Sequence, residues 1–313
     1  MRNSKTVVSI LIPLLNEQDN LRDLYQKISE VFLKIPDKDY ELVFIDDGSS
    51  DISWQIIKEL ASRDDRVRGV AFSRNFGHQA ALAAGLDHVN GQAVITMDAD
   101  LQHPPELIPA LLAKWDEGYE IVYTTRESRQ AGRRKNFASQ SFYRLFGFLT
   151  GIQIPEGAAD FRLMSRNVVE HLRRFPERTF FLRGLVFWIG FPSAGIPYQC
   201  AVRAKGSTKY SWRKMLLLAI DGISSFSATP LYVSIVIGFV VAFIGFVYGC
   251  YAVYVRFFTN LYVPGWSSIL VSVLFLGGLN LVAVGVAGNY IAKIYEEVKQ
   301  RPRYLIKERI NIG

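Results

Sequence analysis

The stretch Ala93-Val94-Ile95-Thr96-Met97-Asp98-Ala99-Asp100-Leu101-Gln102 passes through apolar and β-branched residues and ends in two acids one residue apart. A short run of this kind, closed by turn-forming acids, predicts a buried strand from Ala93 to Met97. Similar runs recur at Val7 to Ile12, Glu41 to Ile45, Val67 to Phe72 and Glu120 to Thr124. Between them lie amphipathic segments, Asn20 to Leu33, Trp54 to Arg63, Gly77 to His88 and Pro105 to Trp115. Strands that alternate with helices imply crossover connections, hence an α/β fold with a mostly parallel sheet covered on both faces.

In an open parallel sheet, ligands bind beyond the carboxyl ends of the strands. Polar clusters fall at those ends: Asn16 and Glu17, then Asp46 and Asp47, then Asp98 and Asp100. Neither G-x-G-x-x-G nor G-x-x-x-x-G-K-S/T occurs, so phosphates must be held in another way. In an extended segment residues i and i+2 share a face, which would point Asp98 and Asp100 at one ion with Gln102 next on that face. Hard carboxylate and amide oxygens suit Mg²⁺ or Mn²⁺, and a diphosphate would complete the shell. A solvated turn is the competing reading, since Asp is common after strands. Asp51 reads equally as a helix N-cap, whereas Asp46 at the strand tip is less easily assigned to capping. Asn16-Glu17-Gln18 is either a helix-entry turn or a face for a base or ribose.

Composition shifts after Asp221. No Asp, Glu, Lys or Arg occurs from Gly222 to Val255, nor again from Phe257 to Ala292. Each run exceeds the ~20 apolar residues that cross a hydrocarbon core, and both are apolar all round rather than striped. They predict two membrane spans joined at a turn containing Asn260, Pro264 and Gly265. Arg203, Lys205, Lys209, Arg213 and Lys214 precede the first span, and Lys293, Lys299, Arg301, Arg303, Lys307 and Arg309 follow the second. The connecting loop has only Arg256. The positive-inside rule then places both termini in the cytoplasm. The net charge of +7 reads as attraction to anionic lipid, with no nucleic-acid motif to suggest otherwise. Val7 to Leu15 is too short to span and lacks a cleavage pattern, so no signal peptide is expected. Cys200 and Cys250 are isolated, and no disulfide framework is expected.

Several motifs occur together and in order: Pro13-Leu14-Leu15-Asn16-Glu17, Asp46-Asp47-Gly48-Ser49-Ser50-Asp51, Ser73-Arg74-Asn75-Phe76-Gly77, Asp98-Ala99-Asp100-Leu101-Gln102-His103-Pro104-Pro105, Asp160-Phe161-Arg162-Leu163 and Gly206-Ser207-Thr208-Lys209-Tyr210. Together they resemble the polyprenyl-phosphate glycosyltransferases of family 2. The tail Tyr290-Ile291-Ala292-Lys293-Ile294-Tyr295-Glu296-Glu297 is similar to that of the two-span members, such as bactoprenol glucosyltransferases.

The resemblance implies a Rossmann-like nucleotide-sugar domain of the GT-A type and transfer with inversion at the anomeric carbon. It implies that Pro13, Leu15, Asn16, Glu17, Asp46, Asp47, Asp98, Ala99 and Asp100 face the nucleotide sugar, and that Asp98, Asp100 and Gln102 hold Mg²⁺ or Mn²⁺. Asp160 would lie by the sugar, and Arg126, Arg134, Lys135, Ser139, Arg203 and Lys209 by the acceptor phosphate. Asp100, Asp160 and Arg126 are the expected catalytic residues. The expected organisation is a cytoplasmic catalytic domain over 1–210, a juxtamembrane amphipathic helix over 211–228, a transmembrane hairpin over 229–292 and a basic tail over 293–313. Asn136 to Thr150 forms a second candidate interfacial helix, with ordinary core packing as the competing reading. The expected location is the inner (cytoplasmic) membrane, as a multi-pass protein, with homo-oligomers left open. The favoured donor is UDP-glucose and the favoured acceptor undecaprenyl phosphate, with GDP-mannose or a UDP-aminoarabinose-type donor as the alternative.

Charge alone carries much of the chemistry. A lipid phosphate is already an anion at neutral pH, so its attack needs no general base. The barrier calls for stabilisation of the departing diphosphate and alignment of attacker and leaving group. Two anionic substrates must meet, and guanidinium forks such as that of Arg126 offset their repulsion. Asp160 reads first as a sugar-positioning group and second as a base. A processive synthase would carry Q-x-x-R-W and more spans, and this chain has neither. A non-catalytic sensor or scaffold would have no use for the acids and the basic cluster. His78, His88, His103 and His171 lack ligand spacing and read as structural or surface groups.

Overall fold

The computed structural model describes residues 6–126, 146–155, 157–177, 181–199, 222–258 and 265–312. The chain divides into two compact units, Met1–Trp212 with Pro302–Gly313, and Arg213–Arg301.

In the first unit, β1 (Thr6–Leu14), α1 (Leu21–Leu33), β2 (Lys38–Asp46), α2 (Ser53–Ala61), β3 (Val67–Phe72), α3 (His78–His88) and β4 (Ala93–Thr96) alternate as the sequence predicts. A 3₁₀ turn at Pro105–Leu107 then leads into α4 (Ile108–Asp116) and β5 (Ile121–Arg126). After these come β6 (Ala158–Ser165), α5 (Arg166–Arg173), α6 (Leu182–Trp188) and β7 (Ser193–Tyr198). The final strand, β8 (Ile306–Ile310), lies near the C-terminus. The sheet is eight-stranded, in the order β7-β5-β6-β4-β1-β2-β3-β8. Its heart, β4-β1-β2-β3, is parallel throughout, and β6 runs antiparallel between β4 and β5. This is the mostly parallel GT-A arrangement.

Packing follows from the pattern. The inner strands β1, β2 and β4 are nearly continuous apolar runs because both faces are covered, with Val8, Ile10, Leu42, Phe44 and Ile95 wholly buried. Leu21, Leu24 and Ile28, at helical spacing on α1, close one face. On α3, Gly85 lies so close to Leu11 that an added Cβ would sit 1.9 Å from Leu11 Cδ1.

Strand β8 differs from expectation. The stretch anticipated as a basic tail returns to the first unit and pairs antiparallel with β3 as the sheet edge. Its exposed charges alternate with half-buried residues, as on a strand with one face in water. Tyr304 stacks on Phe72 with ring centroids 5.0 Å apart, and Glu308 accepts from Trp54 Nε1 at 2.8 Å.

The second unit contains α7 (Thr229–Phe258) and α8 (Trp266–Val298). Within them Thr229–Ala252 and Val271–Val298 are long and apolar enough to cross a membrane, and neither is buried by the protein. Tyr290 Oη donates to Ser227 O at 2.7 Å, near the ends of the two helices. Of the segment read as an interfacial helix around Phe137, only the end is described: Phe146 is core and Phe148 is exposed.

Candidate active site

Parallel pairing of β4, β1 and β2 brings their carboxyl ends to one rim. Because β6 is antiparallel to both β4 and β5, its first residues and the last of β5 join the same rim. The rim therefore collects Asn16 and Glu17, Asp46 and Asp47, Asp98 and Asp100, Arg126, and Asp160.

The first two loops are stitched to each other. Asn16, with φ of +58°, donates its main-chain N–H to Ser49 Oγ at 2.9 Å and accepts from Ser50 N at 2.8 Å through Oδ1. Glu17 N donates to Ser53 Oγ at 3.0 Å. Asp46 accepts from Ser49 N at 2.9 Å, and Asp47 accepts from Phe76 N at 2.7 Å and Gly77 N at 3.0 Å. Burial raises both carboxyls above the ordinary value, against the hydrogen bonds they receive. Asp46 and Asp47 thus shape the loops themselves. Gly48, at φ +75°, lets the Arg74-Asn75 main chain pass where a Cβ would lie 2.5 Å from Arg74 C. Leu15 stays exposed at the mouth, whereas Pro13 is buried beneath it.

The acidic pair departs from its expected conformation. Strand β4 ends at Thr96, so Asp98 follows the strand and Ala99 and Asp100 lie in a turn. Leu101, at φ +61°, completes the turn, and Asp100 Oδ1 accepts from Gln102 N at 3.1 Å. Asp98 and Asp100 therefore do not share a face by strand alternation, and the turn presents them at the rim instead. Asp98, Asp100 and Gln102 remain partly exposed, while Ala99 is buried. Among the described residues no group of three or more His, Cys, Asp or Glu gathers as a preformed metal cage. Two carboxylates and an amide oxygen nevertheless fit Mg²⁺ or Mn²⁺, which keep coordination positions for phosphate and water.

Arginines also gather at the rim. Asp160 Oδ2 accepts from Arg183 Nη2 at 2.9 Å, and Oδ1 from Arg162 Nη2 at 2.8 Å. Burial alone would raise the Asp160 carboxyl, but the Arg183 and Arg162 guanidiniums outweigh it and hold the group well below the usual carboxylate range. Arg126 Nε donates to Tyr198 Oη at 3.0 Å. Sequence reasoning does not single out Arg162 or Arg183. The signals are present all the same: Arg162 in the motif Asp160-Phe161-Arg162-Leu163, and Arg183 as a charge inside the apolar run Phe181-Leu182-Arg183-Gly184-Leu185.

His103, read as structural or surface, is completely buried at the rim. Burial pushes its pKa down, although Asp98 pulls the other way. Arg134, Lys135, Ser139, Arg203 and Lys209, expected by the acceptor phosphate, lie outside the described residues.

A family model described as "Glycosyl transferase family 2" matches residues 9–173. The chain is 42% identical over 305 residues to the uncharacterized glycosyltransferase YkcC of Bacillus subtilis (strain 168), covering 97% of this chain and 94% of that one. It is 43% identical over 303 residues to the bactoprenol glucosyl transferase of Shigella phage SfX, covering 96% and 99%. Among solved structures, glucosyl-3-phosphoglycerate synthase of Mycobacterium tuberculosis, in complex with Mn²⁺, UDP-glucose and phosphoglyceric acid, aligns with a TM-score of 0.45 at 20% identity, covering 71% and 78%.

Proposed function

The chain belongs to glycosyltransferase family 2, and from that premise we propose that it transfers glucose from UDP-glucose to a polyprenyl phosphate such as undecaprenyl phosphate, with inversion, at the cytoplasmic face of a membrane. The observation that carries this reading is the near full-length match to a bactoprenol glucosyl transferase. The meeting of acids and arginines at one rim supports it.

Asp98 and Asp100, with Gln102, would hold the Mg²⁺ or Mn²⁺. When bound, the cation supplies Lewis-acid stabilisation of the departing diphosphate. Pro13, Leu15, Asn16 and Glu17 receive the nucleoside, on loops whose shape Asp46 and Asp47 maintain. Arg126 at the end of β5 binds the acceptor phosphate as a fork, together with Arg134, Lys135, Ser139, Arg203 and Lys209. The acceptor oxygen is already anionic and attacks without a base. That agrees with the state of Asp160, which is ionised and engaged by two guanidiniums. A carboxylate so held is a poor proton acceptor, and its role is to orient the sugar and to place fixed negative charge beside a developing oxocarbenium.

The catalytic domain comprises 1–210 together with the returning strand β8, and the two spans are Thr229–Ala252 and Val271–Val298. Positive charge flanking both spans, against Arg256 alone between them, supports a cytoplasmic location for both termini. The apolar surfaces of α7 and α8 support membrane insertion.

Product analysis tests the proposal. Purified protein given UDP-glucose, a polyprenyl phosphate and Mn²⁺ should yield one lipid-linked hexose with a β anomeric coupling by NMR. An α-linked product would contradict inversion, and a mannosyl lipid formed only from GDP-mannose would contradict the donor.

A further inference from the structure

The segment that returns to the catalytic unit encloses a cavity against the C-terminal end of α3. His88 lines one side, and Pro302, Arg303, Leu305 and Arg309 line the other, around a volume of about 490 Å³. That is ample for a small anionic group. Strands β8 and β5 lie on opposite sides of the eight-stranded sheet, so this cavity is not the acceptor site proposed around Arg126.

Positive charge gathers here. Arg309, on β8, is exposed and makes no hydrogen bond or ion pair with the described residues. Arg173 Nε donates to Leu86 O at 2.6 Å and its Nη2 to Val89 O at 2.7 Å. Arg303 Nη2 donates to Phe175 O at 2.5 Å. Carbonyls carry no net charge, so these bonds fix the guanidiniums without neutralising them. Arg68, on β3, differs in being paired, with Glu41 at 2.5 Å. The acid at this end of α3, Asp87, accepts from Tyr304 Oη at 2.8 Å.

His88 feels the resulting field. Burial first, and then Arg309, Arg68 and Arg173, lower its pKa, while Asp87 raises it. Its Nε2 is buried and has no hydrogen-bond partner among the described residues, a condition that folded proteins rarely leave unanswered. An anionic acceptor would satisfy that nitrogen and offset the guanidiniums together. Guanidinium forks match phosphate oxygens best. Pro302 and Leu305 add apolar contact beside them, which suits a phosphate carried on a glycerol more than a bare ion. Pro302 also comes just after Val298, where the second membrane-length stretch ends, and basic residues so placed attract anionic lipid.

We propose that the cavity between the end of α3 and the segment entering β8 binds a phosphate anion, supplied by the headgroup of an anionic phospholipid. The site is built from residues of the catalytic unit alone, and the membrane reading bears only on where the phosphate comes from.

The imidazole serves as the reporter. Full-length protein with isotope-labelled histidine is placed in nanodiscs, and NMR follows the titration midpoints of His78, His88, His103 and His171. The discs contain phosphatidylcholine alone, phosphatidylcholine with phosphatidylglycerol, or phosphatidylcholine with inorganic phosphate in solution. Phosphatidylglycerol should raise the His88 midpoint by about one pH unit, the effect of a nearby opposite charge, and leave the exposed His78 and His171 in place. In Arg309→Gln, His88 should start higher in phosphatidylcholine, having lost a neighbouring cation, and phosphatidylglycerol should add little more. A rise with inorganic phosphate as large as with phosphatidylglycerol would overturn the lipid as the source and identify free phosphate as the ligand. Equal rises at His88 and His171, or an undiminished rise in Arg309→Gln, would mean that only the general potential of the bilayer surface is felt, and would overturn the site. Absence of any rise at His88 would overturn it as well.

Discussion

At Asp160, burial and charge oppose each other, and two guanidiniums decide the outcome. Arg162 is wholly buried, so removing the Asp160 carboxylate takes an opposite charge away from a buried guanidinium, a loss of about 3 kcal/mol. Asp160→Asn should therefore lower thermal stability at neutral pH, as calorimetry would show. The sign with pH follows from a carboxyl held below its ordinary value. Its contribution is present above the unfolded value near pH ~4 and is lost as pH falls further. The gap in melting temperature between wild type and Asp160→Asn should thus shrink on acidification from about pH 6 to about pH 3, and a constant gap would contradict the pairing. For turnover, Asp100→Ala should reduce glucose transfer by about 10²- to 10³-fold, the scale of losing a charge-stabilising group at the reacting centre. Full metal-dependent turnover in that variant would remove Asp100 from the site. The acids are legible in the sequence because three apolar runs each end in them, which a parallel sheet delivers to one rim. Arg183 is not, because its role depends on a partner distant in sequence, Asp160.

Among the elements, the strands that sequence pattern finds are those buried on both faces, where β-branched and apolar residues run without interruption. The ones it misses are of another kind. β6 carries Asp160 and Arg162 inside the run, and β7 is an edge strand that tolerates Pro197. β8 alternates charge with half-buried residues and reads as a basic tail. Yet the segment leading into β8 reaches the loop after β3. Ser73 N donates to Leu305 O at 2.9 Å, Phe72 lies between Tyr304 and Phe76, and Phe76 N is held by Asp47. The C-terminal segment thus braces the loop that crosses Gly48. Tyr304→Ala should cost about 2 to 3 kcal/mol in stability and weaken UDP binding by titration calorimetry. Unchanged UDP affinity in the folded variant would sever that link. Gly48→Ala should be worse for nucleotide binding than for stability, because its Cβ meets the main chain of the neighbouring loop rather than a side chain that can move.

For the whole molecule, the order of the two units along the chain matters most. The helical unit Arg213–Arg301 is inserted between the body of the catalytic unit and its final strand. A chain cut near Asp221 would lose β8 along with the spans, so its inactivity would not reveal which loss mattered. Replacing 222–298 by a flexible linker retains the strand. Such a protein should fold, bind UDP, and glucosylate a short-chain, water-soluble polyprenyl phosphate while losing transfer to the long-chain lipid in vesicles. Equal activity on both acceptors would show that membrane presentation contributes nothing. Metal-dependent transfer of glucose to a lipid phosphate is tested most directly by following radiolabel from UDP-glucose into the organic phase. Purified protein and undecaprenyl phosphate are incubated with Mn²⁺, with Mg²⁺ or with EDTA. We expect labelled lipid with either cation, none with EDTA, and none when the lipid phosphate is omitted. Undiminished label in EDTA would contradict the role given to Asp98 and Asp100, and absence of label under every condition, with UDP binding intact, would contradict the function itself.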